Sequence, residues 1–153
     1  MYPVRLWSTR HAGFLEKLYY SLERFFLKLH PFFARFGYDK LERPTLWIEK
    51  PIKRLLFDCQ MCGNCVLSST GMTCPMNCPK QLRNGPCGGV RQDGYCEVNE
   101  QMPCVWVEAA KGAAQMQRGR NMETVQIAAN QSQQGSSSWV RALKNKHARE
   151  SAS

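Results

Sequence analysis

The sequence predicts a small, irregular, metal-organised cysteine domain with flanking α-helices and little β structure. Three observations carry this expectation. All eight cysteines of the 153-residue chain fall between residues 59 and 104. That segment also holds six of the eleven glycines, and four of its cysteines touch a proline (Pro75, Pro79, Pro86 and Pro103), which leaves little room for regular elements. Upstream, residues 12–30 repeat apolar side chains at helical spacing.

In AGFLEKLYYSLERFFLKLH, Phe14, Leu15, Leu18, Leu22, Phe25, Phe26 and Leu29 form a broad apolar stripe. Glu16, Lys17, Glu23, Arg24 and Lys28 mark its wetter side. Pro31 ends or kinks this helix, and a short segment from Phe32 to Phe36 stops at Gly37, read as a left-handed cap. The stripe is rich in aromatics for a chain with so little other core. Three uses stay open: packing over the cysteine domain, docking on a partner, or lying on a membrane surface. Residues 38–57 contain Pro44 and Pro51 and read as an extended connector, anchored by Leu46, Trp47 and Ile48. After Cys104, VWVEAAKGAAQMQRG predicts a short helix within 105–120. Residues 121–153, with QIAANQSQQGSSS, read as a flexible polar tail. Behind its serines, Trp139, Val140 and Leu143 are placed for one last helical turn. The chain therefore divides into 1–58, 59–104, 105–120 and 121–153.

The net charge of +9 is uneven: residues 1–58 carry +5, residues 59–104 are neutral and residues 105–153 carry +4. Basic side chains are interspersed with acids and form no dense stripe, which argues against a nucleic-acid partner. The start, MYPVRLWSTRHAGF, lacks the continuous apolar region of an export signal. No run of about 18 apolar residues exists to span a membrane. The expected location is the cytoplasm, where close Cys-x2-Cys pairs point to metal or redox chemistry rather than to four disulfides.

Cys59, Cys62 and Cys65 form a Cys-x2-Cys-x2-Cys run, which places three thiolates on one tight loop, as bacterial ferredoxins do around a cubane. These three are expected to share one site. Cys74-Pro75 and Cys78-Pro79 follow, then Cys87, Cys96 and Cys104 at wide spacing. Eight thiolates match two [4Fe–4S] clusters. One [4Fe–4S] cluster with one zinc, or two zinc sites of four cysteines, would use the same number, but zinc favours separated pairs over a triple run. His11, His30 and His147 lie far from the segment in sequence and are expected at the surface or at helix ends. GPCGGV lacks the order of a dinucleotide fingerprint. No paired carboxylates, nucleophile elbow or phosphate loop is present, so no catalytic residue is identified.

The stretch MCGNCVLSSTGMTCPMNCPKQLRNGPCGGV, followed by GYCEV and PCVWV, resembles the cysteine-rich methylenetetrahydrofolate reductase C-terminal family over roughly residues 55–110. The unbroken CPKQLRNGPCGGV is the most specific part of the likeness. That family occurs as a small subunit, or a fused domain, beside a flavin-bearing methylenetetrahydrofolate reductase barrel. The resemblance implies an iron–sulfur subunit in which Cys59, Cys62, Cys65, Cys74, Cys78, Cys87, Cys96 and Cys104 hold metal. It implies electron relay to or from the partner's flavin during interconversion of 5,10-methylene- and 5-methyltetrahydrofolate, with no activity of the chain alone. A ferredoxin or an NADH-oxidising protein is the implied donor. The alternative is a zinc-binding structural or assembly subunit of the same complex, without electron transfer.

Overall fold

The structure is a computed structural model describing residues 2–85 and 87–150, apart from the side chains of Lys146, Arg149 and Glu150. Among the described residues, six α-helices flank a loop-built centre: α1 (Tyr2–Arg10), α2 (Ala12–Lys28), α3 (His30–Phe36), α4 (Tyr38–Phe57), α5 (Val105–Ala113) and α6 (Ser138–Glu150). Among the described residues, β structure is limited to two isolated antiparallel bridges, Val90 with Cys96 and Tyr95 with Pro103. The expected helical flanks and scarcity of strand are therefore present. No helix among the described residues is long and apolar enough to cross a membrane.

The N-terminal stripe is divided in use. Ala12 and Leu15 are buried against Leu67, Met72 and Cys74, whereas Phe14, Leu18, Leu22 and Phe25 remain exposed. Glu16, expected on the wetter side, is instead buried: its carboxylate accepts from the backbone N–H groups of Gln117 and Arg118 at 2.8 and 3.0 Å. This contact engages the chain just past α5, which stops at Ala113, short of the expected residue 120. The helix ends at Lys28, just before Pro31, as expected, and a new helix begins at once. Pro31 occupies the first turn of α3, where a missing N–H is tolerated. Gly37, at φ 88°, then turns the chain into α4.

The connector over 38–57 is a correction: it is a twenty-residue helix with both prolines inside. Pro44 and Pro51 sit on its exposed side, where water can solvate the carbonyls that lose their partners. Its periodicity was masked because the faces are reversed. Thr45, Glu49 and Lys53, spaced four apart, point inward, while Trp47, Ile48, Ile52 and Leu55 are exposed. A buried polar stripe does not register as an amphipathic helix when apolar residues are taken to mark the core.

The tail is the second correction. Residues 121–150 carry short 3-10 turns and α6, which runs thirteen residues rather than one turn. Val140 and Leu143 are buried with Phe33, and Trp139 packs on Phe26 with ring centroids 5.2 Å apart. The serines that suggest a linker by composition act here as hydrogen-bonding groups. Ser137 Oγ accepts from the Val140 N–H at 3.2 Å, an N-terminal cap. Leu143→Ala should therefore destabilise the chain by about 2–5 kcal/mol, read from chemical denaturation. Val125→Ala, at a side chain 82 % exposed, should change stability by less than about 0.5 kcal/mol.

Candidate metal centre

Helix α4 delivers the chain into the cysteine segment. Asp58 caps it in the left-handed region (φ 51°, ψ 46°), with its N–H on the Arg54 carbonyl and the Cys59 N–H on that of Lys53. Met61 (φ 50°) and Gly63 (φ 72°) reverse the backbone again, so each spacer in the Cys59–Cys65 run holds a left-handed residue. For Met61 this conformation costs roughly 1–2 kcal/mol. Every described non-glycine residue at positive φ lies between Asp58 and Gln81. Gly63 is also fixed by crowding, because a Cβ there would stand 2.4 Å from the Gln133 carbonyl oxygen.

This winding brings Cys59, Cys62, Cys65 and Cys74 to the wall of one small cavity of about 20 Å³. Leu67 and Met76 line it on the apolar side, and Glu49, Arg83 and Ser138 on the polar side. The Met61 N–H donates to Cys59 Sγ at 3.4 Å. The Cys74 thiol donates to Cys59 as well; together with Met61 and the Lys53 ammonium it brings the Cys59 pKa down to about 6, against the opposing effect of burial. Cys74 moves the other way, well above the ordinary thiol value, through that hydrogen bond and then through burial. Burial, and next the charge of Cys65, push the Tyr19 hydroxyl far up, so it stays neutral beside this cavity.

The remaining four cysteines gather around Leu82. Cys78 and Cys96 pack with Met102 and Val105, while Cys104 and Cys87 pack with Trp106 and Ala109; Leu82 touches both groups. The Cys96 N–H bonds to the Met102 carbonyl, and the Cys104 N–H to that of Gly94. The Gly89 N–H donates to Cys87 Sγ at 3.4 Å. Lys80, paired with Glu97, has a raised pKa owed first to Glu97 and also to Cys87 and Cys96. Trp106 is 5 % exposed, and its Nε1–H has no partner. Gly85 leaves room for the indole, since a Cβ would meet Cδ2 at 2.3 Å. Pro86, one of the prolines beside a cysteine, lies outside the described residues.

All eight cysteines are free thiols, so none is committed to a disulfide. Among the described residues, no group of three or more His, Cys, Asp or Glu is arranged to hold a single ion. The residues fit a thiolate-bound centre in donor type, in backbone N–H contacts to sulfur, and in an orphaned buried donor beside Cys104. None of the histidines joins either group. His11 stacks on Trp7, and His30 lies between the Tyr38 hydroxyl and the His147 ring.

A family model described as methylene-tetrahydrofolate reductase C terminal matches residues 38–132. The chain belongs to that family. No curated protein and no solved structure matches it. The family segment encloses all eight cysteines and all of α4, a longer stretch than the 55–110 likeness legible in the motifs, and leaves α1–α3 and α6 outside. The motif reading passed over Glu49, Lys53, Arg83 and Trp106. Of these, Arg83 lies inside CPKQLRNGPCGGV and Trp106 inside PCVWV, whereas Glu49 and Lys53 carried no signal in the sequence.

In the metal-free reduced chain, alkylation followed by mass spectrometry should show half-maximal labelling of Cys59 near pH 6, with Cys74 labelled only at much higher pH. Cys74→Ala should move the Cys59 midpoint up toward the ordinary thiol value of about 8.5.

Proposed function

We propose that this chain is the iron–sulfur electron-relay module of a methylenetetrahydrofolate reductase, passing electrons to or from the flavin of a catalytic partner. One observation carries the reading: the family segment encloses eight free cysteines, four of which line one cavity flanked by the basic side chains Arg83 and Lys53. A [4Fe–4S] centre bound by four thiolates supplies one-electron chemistry. In this reading Cys59, Cys62, Cys65 and Cys74 ligate one centre, and Cys78, Cys87, Cys96 and Cys104 the other. Met61 and Gly89 direct backbone N–H groups at sulfur, contacts that tune such centres. Leu67, Met72 and Met76 keep water from the first site.

Zinc is the competing occupant. Four thiolates on one zinc at about 2.3 Å would stand roughly 3.8 Å from one another. The Cys59-x2-Cys62-x2-Cys65 run favours a cubane, since zinc prefers separated pairs. The chain carries no flavin, nicotinamide or folate signature, so interconversion of 5,10-methylene- and 5-methyltetrahydrofolate belongs to the partner. A ferredoxin or an NADH-oxidising protein fits as the external redox partner. Association with a reductase is supported by the outward apolar face of α4, where Trp47 is 82 % and Leu55 66 % exposed within the family segment.

A reductase complex carrying Cys59→Ser separates relay from scaffold. It should assemble and bind flavin, lose turnover with the physiological donor, and keep activity with a dye that reaches the flavin directly. Loss of both activities from an intact complex would assign the chain a structural role. Full donor-linked turnover would place the Cys59 site off the electron path.

A further inference from the structure

Arg83 is a buried cation whose charge has no acidic partner among the described residues. It is 7 % exposed. Nε donates to the Ile127 carbonyl at 2.7 Å and Nη2 to the Asn64 carbonyl at 2.6 Å. Nη1 faces sulfur, 3.9 Å from Cys62 Sγ and 4.0 Å from Met76 Sδ. Carbonyl dipoles solvate a guanidinium without neutralising it, and an uncompensated buried charge is strongly unfavourable. The group that faces Nη1 must supply the anion. Lys53 comes from α4, 3 % exposed, but it is already matched: Nζ donates to Glu49 Oε1 at 2.7 Å. Glu49 is itself fully buried and accepts from the Ser137 and Ser138 hydroxyls at 2.5 and 2.6 Å. Glu49 and Arg83 line the cavity, and since Glu49 is neutralised by Lys53 the site is left with one surplus positive charge.

We propose that Arg83 is the built-in counter-charge of the centre bound by Cys59, Cys62, Cys65 and Cys74, and that with the Glu49–Lys53 pair it sets the reduction potential of that centre. The inference rests on the iron–sulfur reading above and adds to it the residues that tune the site. Reduction brings one electron from the external donor; no bond forms or breaks and no proton moves. The added negative charge is attracted by the guanidinium and by Lys53 and repelled by Glu49, so the three side chains have opposed and predictable signs. The effect of Lys53 is consistent with its raised pKa, in which burial is overcome by the charges of Cys65 and Glu49.

The test is a dithionite titration of the anaerobically purified full chain, followed by electron paramagnetic resonance, with iron analysis of each variant. Arg83→Met should shift one of the two signals to more negative potential and leave the other in place. Arg83→Lys, which keeps the charge, should shift it less. Glu49→Gln, which frees the charge of Lys53, should shift the same signal to more positive potential. Unmoved potentials with iron retained overturn the proposal and leave the iron–sulfur reading standing. If Arg83→Met fails to fold, the sign of the Glu49→Gln shift decides, and a negative or null shift overturns the proposal. Parent protein that holds zinc and no iron removes both.

Discussion

Gathering four cysteine sulfurs around one small cavity is the constraint on which the rest of this fold depends. Thiolates are the ligand form of cysteine, and buried anions are tolerated only where cations and donors meet them. Loops built from residues 58–104 have few aliphatic side chains with which to enclose such a cavity. Helices from both flanks complete it. Helix α2 packs Ala12 and Leu15 against Leu67 and Cys74 behind it, and α4 brings Glu49 to its wall with Lys53 bonded to that carboxylate. The segment before α6 closes it: the Gly135 N–H bonds to the Met61 carbonyl at 2.8 Å, and Gln134 Nε2 donates to the Gln60 carbonyl at 2.8 Å.

The same constraint explains the reversed faces of α4. A helix that faced this cavity with leucines would offer no charged group to the sulfurs. By turning Thr45, Glu49 and Lys53 inward, it places Trp47, Ile48, Ile52 and Leu55 outside. Those residues are free to meet another surface, and they belong to the segment that defines the family. Site electrostatics and an exposed apolar face are two consequences of one helix orientation.

Much of the site was legible in the sequence and much of the surrounding fold was not, for physical reasons. Cysteine spacing is a local signal, and it marks the Cys59–Cys65 loop. The grouping of the later cysteines depends on Leu82 and on backbone bonds between distant residues, such as Cys104 to Gly94, which spacing does not encode. Helix α4 escaped because its prolines and its apolar residues both lie on the solvent side. The tail escaped because its serines and glutamines satisfy buried or backbone partners far away in sequence, as Ser137 does with Glu49 across 88 positions. Composition reports how polar a segment is, not where its hydrogen bonds end.

The central claim is that the cysteines of this chain hold iron–sulfur clusters rather than single structural ions. The most direct measurement is elemental analysis of the anaerobically purified full chain combined with electron paramagnetic resonance of the reduced state. Two [4Fe–4S] clusters predict brown protein with about eight irons per chain and a signal from reduced cubanes. Colourless protein that holds two zinc ions per chain and gives no such signal would contradict the account.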